Sequence, residues 1–431
     1  MTLVVMNLSS ETLFKRLEVV FAVLSLVHYS TGWLKLIISR GASEGQGIDL
    51  LAFNYKPNEF IFLFTYVISF CLLALRWKKV VYVIQREPII VTLVIITIAS
   101  TFWSFSPSDT LRRSCTGFVG TTFLGLYLGT RYSLKEQVKI LGYTCGVILI
   151  FSIIYSVALP RYGLEHGVHA GAWRGIFSHK NLFGRGMVFN GLIFLIFQSI
   201  MPPERKWIAS LGLFLSIILL FLSKSSSALI NFLVLFLAFF LYRTLRFRYI
   251  LLVPAFLSIV TLGGILLQLY LTYTTELFGL IGKDPSLTGR TDIWEFVWDM
   301  IEKRPLLGYG YTAFWNGLDG PSAHVIRAAR WDVPYAHNGL LDLWLELGLL
   351  GVLVYLTGFA ICLLQAIRWA RVSKGLEGLW PLMGLTYVVM CNLTEGPLLG
   401  AKNLFWIIYV TLVVSLKIPQ YSSKSFRSLS G

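Results

Sequence analysis

The feature that most constrains this chain is a series of apolar blocks, each close to the roughly 20 residues that a helix needs to cross a bilayer. They recur along all 431 residues. Twelve spans are predicted, near 17–39, 59–75, 88–103, 114–130, 140–158, 183–201, 207–222, 226–242, 249–271, 339–366, 379–393 and 403–417. Composition agrees: 56% of residues are hydrophobic and 14% charged, where a soluble domain carries about 25% charged residues. The expected fold is an all-α integral membrane protein of about 12 transmembrane helices with a large extracytoplasmic loop. Residues 1–271 hold the first nine spans and 339–417 the last three. The intervening 272–338 is the one polar stretch long enough to form that loop, and 418–431 is a short, basic, Ser-rich cytoplasmic tail. No internal repeat is visible.

Charge sets the orientation. With the N-terminus inside, the cytoplasmic segments hold Lys15/Arg16, Arg76/Lys78/Lys79/Arg86, Arg131/Lys135/Lys139, Arg205/Lys206, Arg243/Arg246/Arg248, Arg368/Arg371/Lys374 and Lys417/Lys424/Arg427. This is the bias of positive-inside insertion. The net charge of +15 follows from that topology and from anionic lipid, and no basic aromatic-studded module is present to suggest nucleic acid. Lys15 and Arg16 precede a long apolar run with no A-x-A-like site, so the first helix is expected to stay as a signal anchor. Cys71, Cys115, Cys145, Cys362 and Cys391 lie in or beside apolar blocks and form no CxxC, which argues against a disulfide framework or a zinc site.

The remaining Lys and Arg fall outside, mostly in 159–182 and 272–338. Outer loops normally avoid them, and an anionic ligand is the simplest reason for their presence. In the longer loop, Ile293, Val297 and Ile301 recur at helical spacing, with Asp292 and Glu295 set as a cap. The pattern predicts an amphipathic helix suited to the membrane interface, stopped by Arg304-Pro305.

Four constellations on that side carry possible chemistry. The first is the run from Trp173 and Arg174 to His179, Lys180 and Asn181 at a membrane entry. It reads as an anion site or as an interfacial anchor with snorkelling side chains. The second is Ser223-Lys224-Ser225, a loop so short that Lys224 sits at the membrane face and needs an anion, water or a snorkelling path. The third is Gly289-Arg290, where Arg290 at a helix start suits a phosphate, or is an exposed loop arginine. The fourth is Ala336-His337-Asn338-Gly339: His337 can act as a base near neutral pH, or the His–Asn pair caps the following helix. Asp342 and Glu346 follow one turn apart, as carboxylates that pair or function. No DxD-type, HExxH, GxSxG or Walker motif is present, so no metal and no cofactor is predicted.

Arg290-Thr291-Asp292-Ile293-Trp294, Pro305-Leu306-Leu307-Gly308-Tyr309-Gly310 and the stretch from Ala336 through Asp342 and Glu346 to Gly351 resemble the shared core of the O-antigen ligase and Wzy-type polymerase superfamily. The run Arg174-Gly175-Ile176-Phe177-Ser178-His179-Lys180-Asn181 is similar to its ExoQ-like exopolysaccharide polymerase branch. The resemblance implies a GT-C-like, metal-independent glycosyltransferase of the bacterial inner membrane, with its active site facing the periplasm or exterior. The donor would be a glycan on undecaprenyl diphosphate, and the acceptor a glycan or lipid A core. It implies that His337 is the base, and that Arg290, with Lys224, Arg174 and Lys180, binds diphosphate. His179, Asn181, Asn338, Asp342 and Glu346 would support them. The chain has Ser223-Lys224-Ser225 where the family often carries Ser-Arg-Gly. A polymerase is favoured and a ligase is the near alternative; Tyr309, Tyr311, Trp315 and Trp331 are candidates to bind the acceptor. A transporter would use Asp342 and Glu346 as coupling sites, but no repeat and no matched pair of broken helices is visible. A structural envelope protein is the third class.

The charge pattern makes a direct prediction. A cysteine placed at Asn316 should react with a membrane-impermeant maleimide added outside intact cells. Labelling from the cytoplasmic side alone would overturn the topology.

Overall fold

The computed structural model describes residues 2–43, 46, 53–280, 292–330, 333–393, 396 and 398–418. Its longer helices are α1 (Thr2–Ser30), α2 (Lys56–Ala74), α3 (Trp77–Arg86), α4 (Pro88–Ala99), α5 (Val119–Arg131), α6 (Leu134–Ala158), α7 (Lys180–Phe197), α8 (Lys206–Leu222), α9 (Ser226–Leu245), α10 (Leu252–Leu280), α11 (Asp292–Lys303), α12 (Gly339–Val372), α13 (Trp380–Asn392) and α14 (Leu404–Lys417). Among the described residues the one β pairing is an isolated antiparallel bridge between Leu164 and Trp173. This is what a bilayer allows, because a helix satisfies its backbone polar groups within its own segment.

Six stretches are long and apolar enough to cross a membrane: Lys56–Ala74, Leu134–Ala158, Pro203–Leu222, Ser226–Leu245, Leu252–Tyr270 and Gly339–Val372. A seventh would be the pair Trp77–Arg86 and Pro88–Phe102, which meet at 88°. The protein is therefore a multi-pass membrane protein. Other predicted spans fall on helices too short for that set, such as α5 and α13 with 13 residues each. Helix α7 has 18 residues but carries Lys180 and Arg185. The count of twelve stays an expectation.

The chain forms two compact units that interleave in sequence. One comprises Met1–Phe62, Leu134–Phe232 and Gly375–Trp380; the other comprises Leu63–Ser133, Leu233–Lys374 and Pro381–Gly431. In the first, α6, α7 and α8 pack through glycines: Gly142 lies against the ring of Phe197, and Gly212 against that of Phe194. In the second, Gly125 and Gly129 of α5 form a G-x-x-x-G face that meets Val410 and Val414 of α14. The backbones come close enough for Thr411 Oγ1 to donate to the Gly125 carbonyl at 3.3 Å and Ser415 Oγ to that of Gly129 at 3.4 Å. Lipid tails give helices no hydrophobic reason to associate, so small residues and such hydrogen bonds hold a membrane bundle together.

Helix α12 is not continuous. Gly348 has φ +66° and ψ −170°, a region open essentially to glycine alone. The break removes the helical bonds from Leu349 and Leu350 back to Leu345 and Glu346. Residues 305–310 replace both. Tyr309 and Gly310 donate to the Leu345 and Glu346 carbonyls at 2.8 and 2.9 Å, while Leu349 and Leu350 donate to Pro305 and Leu306 at 2.8 and 3.3 Å. Gly308, at φ +66°, allows the approach, since a Cβ there would lie 2.6 Å from the Leu345 carbonyl oxygen. The sequence predicts 339–366 as one span; the break departs from that because it depends on a loop distant in the chain.

The amphipathic helix is present as α11, with a different use for its apolar stripe. Ile293, Val297 and Ile301 are buried in a small core with Tyr309, Phe314, Val325, Ile326, Val333 and Ala336. A stripe covered by its own chain is not available to sink into lipid, which corrects the interfacial placement. The expected Asp292–Glu295 cap and Gly289-Arg290 lie outside the described side chains.

A Cβ on Gly348 would stand 2.2 Å from the Leu306 carbonyl. Gly348→Ala should therefore lower the thermal unfolding midpoint of the detergent-solubilised protein, by an amount equivalent to about 2 kcal/mol or more. Gly146→Ala, in open space on α6, should not lower it. Equal midpoints for the two variants would refute the account of the break.

Candidate functional site

In the first unit the loop between α6 and α7 is organised by Arg174, whose side chain is fully buried. Its Nε donates to the Tyr162 carbonyl at 2.9 Å. Nη1 donates to the Ala42 carbonyl at 3.0 Å, to Ser43 Oγ at 2.8 Å and to Glu165 Oε2 at 3.4 Å. Nη2 donates to the carbonyls of Gly41 at 2.6 Å and Arg161 at 3.4 Å. A buried guanidinium is tolerated when paired and fully hydrogen-bonded, and this one joins residues 41–43 to 161–165. Every donor faces protein. The diphosphate role expected of Arg174 is therefore not supported: the residue shapes the loop and presents no fork to a ligand. Glu165, unnoticed in the sequence, is its counter-charge; the other carboxylate oxygen accepts the Lys180 backbone N–H at 2.8 Å.

The same loop brings Lys180 and Lys224 together. Lys180 Nζ donates to the Lys224 carbonyl at 3.3 Å. Lys224 has φ +51° in the tight turn between α8 and α9, and its ammonium lies near Gly171. Burial holds the Lys180 pKa below the usual lysine value; the Glu165 carboxylate opposes that and the Lys224 charge adds to it. Two such ammonium groups are a place where an anion would be stabilised. His179 is the N-cap of α7, its Nδ1 accepting the Asn181 N–H at 3.2 Å, and its ring meets His169 edge-on at 5.5 Å. The structure thus shows His179 and Asn181 in a capping interaction.

In the second unit, His337 precedes α12 with φ +53°. A non-glycine residue in that region is uncommon and marks strain that its surroundings must hold. Three groups hold it. Asn338 is the N-cap of α12, its Oδ1 accepting from the N–H groups of Leu340 at 3.0 Å and Leu341 at 3.3 Å. Asp342 Oδ1 accepts from the Ala336 N–H and from Trp315 Nε1, both at 2.9 Å. The Tyr335 ring lies 4.3 Å from the His337 ring, centroid to centroid. Asp342 thus grips the backbone just before His337. Its second oxygen, Oδ2, is buried with no hydrogen-bond partner among the described residues.

Glu346 accepts a hydrogen bond from the Thr312 N–H and feels the charge of Arg113. Arg113 in turn donates to the Thr312 carbonyl at 3.2 Å. Sequence reasoning passed over Arg113, although it lies in a predicted outer loop. The proposed acceptor aromatics are used differently. The Tyr309 hydroxyl donates to the Met300 carbonyl at 2.9 Å and the Tyr311 hydroxyl to that of Leu399 at 2.7 Å, and both rings are buried. They are packing residues, not platforms for sugar. Trp331 and Arg290 lie outside the described residues.

Residues 211–356 match the family model described as O-antigen ligase. That region includes Lys224, Arg290, His337, Asn338, Asp342, Glu346 and the break at Gly348, but not Arg174 or Lys180. Across 352 residues the chain is 24% identical to the exopolysaccharide production protein ExoQ of Rhizobium meliloti (strain 1021), covering 74% of this chain and 75% of that protein. Two putative polysaccharide ligases, from Rickettsia conorii (strain ATCC VR-613 / Malish 7) and Rickettsia prowazekii (strain Madrid E), are 33% and 34% identical over 79 residues, covering 18% of this chain and 19% and 20% of theirs. The chain is thus similar to the O-antigen ligase and ExoQ-like superfamily, with the family match lying in residues 211–356.

Proposed function

We propose that the protein is a polysaccharide polymerase of the bacterial inner membrane, joining oligosaccharide repeat units carried on undecaprenyl diphosphate. The observation that carries this reading is His337, a titratable side chain on a left-handed backbone braced by Asn338 and by the Asp342-bound Ala336. Strain of this kind persists where the surrounding structure imposes it, and it clusters at functional sites.

In the proposed reaction His337 takes the proton of an acceptor hydroxyl. The oxygen attacks the anomeric carbon of the donor from the face opposite the diphosphate, whose C–O bond breaks. The products are an inverted glycosidic bond and free undecaprenyl diphosphate. Charge accumulates on the leaving diphosphate, and preorganised cations are the usual means of stabilising it. Arg290, which by the resemblance matches a diphosphate-binding arginine, is proposed for this; Lys180 and Lys224 are proposed to bind an anion within their own unit. Arg174 is not among them.

The match over three-quarters of each chain to ExoQ, a protein named for exopolysaccharide production, supports a role in making polysaccharide, and the polymerase reading follows the resemblance of residues 174–181. The ligase reading keeps a specific observation of its own, since the O-antigen ligase match covers the His337 region. Purified protein supplied with a lipid-linked repeat unit should form longer lipid-linked glycan. Transfer to lipid A core without elongation would establish the ligase instead.

His337→Ala should remove transfer almost entirely, since a general base contributes roughly 10²–10⁴ in rate, while donor binding and the melting midpoint stay close to the parent. A folded His337→Ala protein that transfers glycan at the parent rate would exclude the role.

Basic side chains can supply the charge stabilisation that a metal gives elsewhere. Turnover should therefore persist in excess EDTA. Loss of turnover that magnesium or manganese restores would contradict this.

A further inference from the structure

We infer that α3 (Trp77–Arg86) is a docking surface for anionic phospholipid, lying in the plane of the membrane surface with its basic side at the headgroups. Its setting in the chain separates it from the spans around it. Pro88–Phe102, which contains most of the predicted span 88–103, leaves α3 at 88°. Glu87, with φ −133° and ψ 72°, makes that corner, because the residue before a proline is kept out of the helical region. A helix at a right angle to a segment that enters the bilayer lies along the bilayer surface. Lys78, Lys79 and Arg86, within ten residues, also bar α3 from the hydrocarbon.

At about 100° per residue, the side chains of α3 sort into three arcs. Trp77, Val80, Val81 and Ile84 share one, and Trp77, Val81 and Ile84 are 60, 41 and 40% exposed. Lys78, Lys79, Gln85 and Arg86 lie on the opposite side, and all four are exposed. Val83 falls between the two arcs and is buried, where α3 packs on α5 and α14 of its own unit. The apolar stripe of α11 is covered by its own chain; that of α3 is open. An exposed apolar arc led by a tryptophan, beside an arc of Lys and Arg, suits a helix that sinks one side to the acyl boundary and keeps the other at the headgroups.

The end of α3 is fixed in place. Lys417 Nζ lies 2.8 Å from Glu87 Oε2 and donates to the Arg86 carbonyl at 3.4 Å. The acid at the corner is thereby taken by Lys417. The Arg86 guanidinium lies over the ring of Tyr82, 4.0 Å from its centroid, and so is held along its own helix. Among the described residues, neither Lys78 nor Arg86 is in an ion pair. The chain that follows Lys417 adds Lys424 and Arg427 and no acidic residue, so it brings this corner more charge of the same sign.

The two arcs together choose the occupant. A soluble anion would meet the basic arc alone and leave Trp77, Val81 and Ile84 in water. A second copy of the chain, docked face to face, would bring a like-charged arc against this one. Zwitterionic lipid matches the apolar arc only. Anionic lipid matches both, with acyl chains against Trp77, Val81 and Ile84 and phosphates against Lys78, Lys79 and Arg86. Each Lys or Arg near an anionic leaflet strengthens such binding about fivefold. The surface does not depend on the proposed transfer reaction.

The test measures binding, not turnover. Full-length protein in neutral detergent is titrated with phosphatidylglycerol or phosphatidylcholine, and the lipids that stay bound are counted by native mass spectrometry. The parent should hold phosphatidylglycerol in preference to phosphatidylcholine, which is read without any variant. Lys78→Gln combined with Arg86→Gln should weaken phosphatidylglycerol binding about fivefold for each charge removed. Both side chains are exposed, so the melting midpoint should not change. Arg205→Gln combined with Lys206→Gln removes the same charge from exposed positions of the other unit and should weaken binding far less. Equal binding of the two lipids by the parent, or an equal loss in the two double variants, overturns the site. Excess inorganic phosphate should leave phosphatidylglycerol bound; its displacement would make this a site for a free anion and overturn the lipid assignment. A dimer that only the Lys78 and Arg86 double variant loses would make the face a contact between copies, and overturns it likewise.

Discussion

A backbone amide or carbonyl in a membrane protein must find its partner within the protein, and the break at Gly348 creates four that α12 cannot satisfy by itself. Residues 305–310 satisfy all four. That exchange fixes the loop to the helix, and further bonds secure the loop elsewhere in the same unit. Trp103 Nε1 donates to the Leu307 carbonyl at 2.8 Å, the Phe105 N–H to that of Tyr309 at 2.9 Å and Thr110 Oγ1 to that of Tyr311 at 2.9 Å. From the loop, the small core around α11 continues to Ala336, and Ala336 is the residue that Asp342 grips before His337. The conformation of one histidine thus depends on a repaired gap in a helix.

The first unit follows a comparable logic with charge. A guanidinium with every donor taken gathers carbonyls that a loop would otherwise leave unsatisfied, and Glu165 keeps that charge compensated. The cations around it are then distinguishable by burial. Arg174 is enclosed and structural. Lys180 and Lys224 meet at the turn of α8 and α9, where Lys180 Nζ donates to the Lys224 carbonyl. Basic residues that look alike as a set in the sequence differ in what surrounds them.

Much of this was legible in the sequence, and what was not has a common cause. Apolar block length gave the helical membrane class, and the 3.6-residue spacing of Ile293, Val297 and Ile301 gave α11. The Asn-Gly step after His337 marked the cap of α12. These are local signals. The Gly348 break was hidden because glycine is ordinary in membrane helices, and only the distant Pro305–Gly310 stretch makes it necessary. Arg174 was read as a ligand-binding residue because a sequence does not show that residues 41–43 supply its acceptors. Tyr309 and Tyr311 were candidate sugar platforms, yet each directs its hydroxyl to a backbone carbonyl in the interior. Long-range hydrogen bonds decide each of these, and periodicity does not encode them.

Residues 305–310 are bonded to both sides of the break in α12: Tyr309 and Gly310 to the carbonyls of Leu345 and Glu346, Pro305 and Leu306 to the N–H groups of Leu349 and Leu350. The segment after Gly348 runs for about 24 residues, roughly 36 Å at 1.5 Å per residue, enough to traverse a bilayer on its own. Membrane helices adjust to bilayers of different thickness by tilting. With four bonds splinting the gap, a tilt of that long segment has a direct path to the loop and to the turn that follows His337.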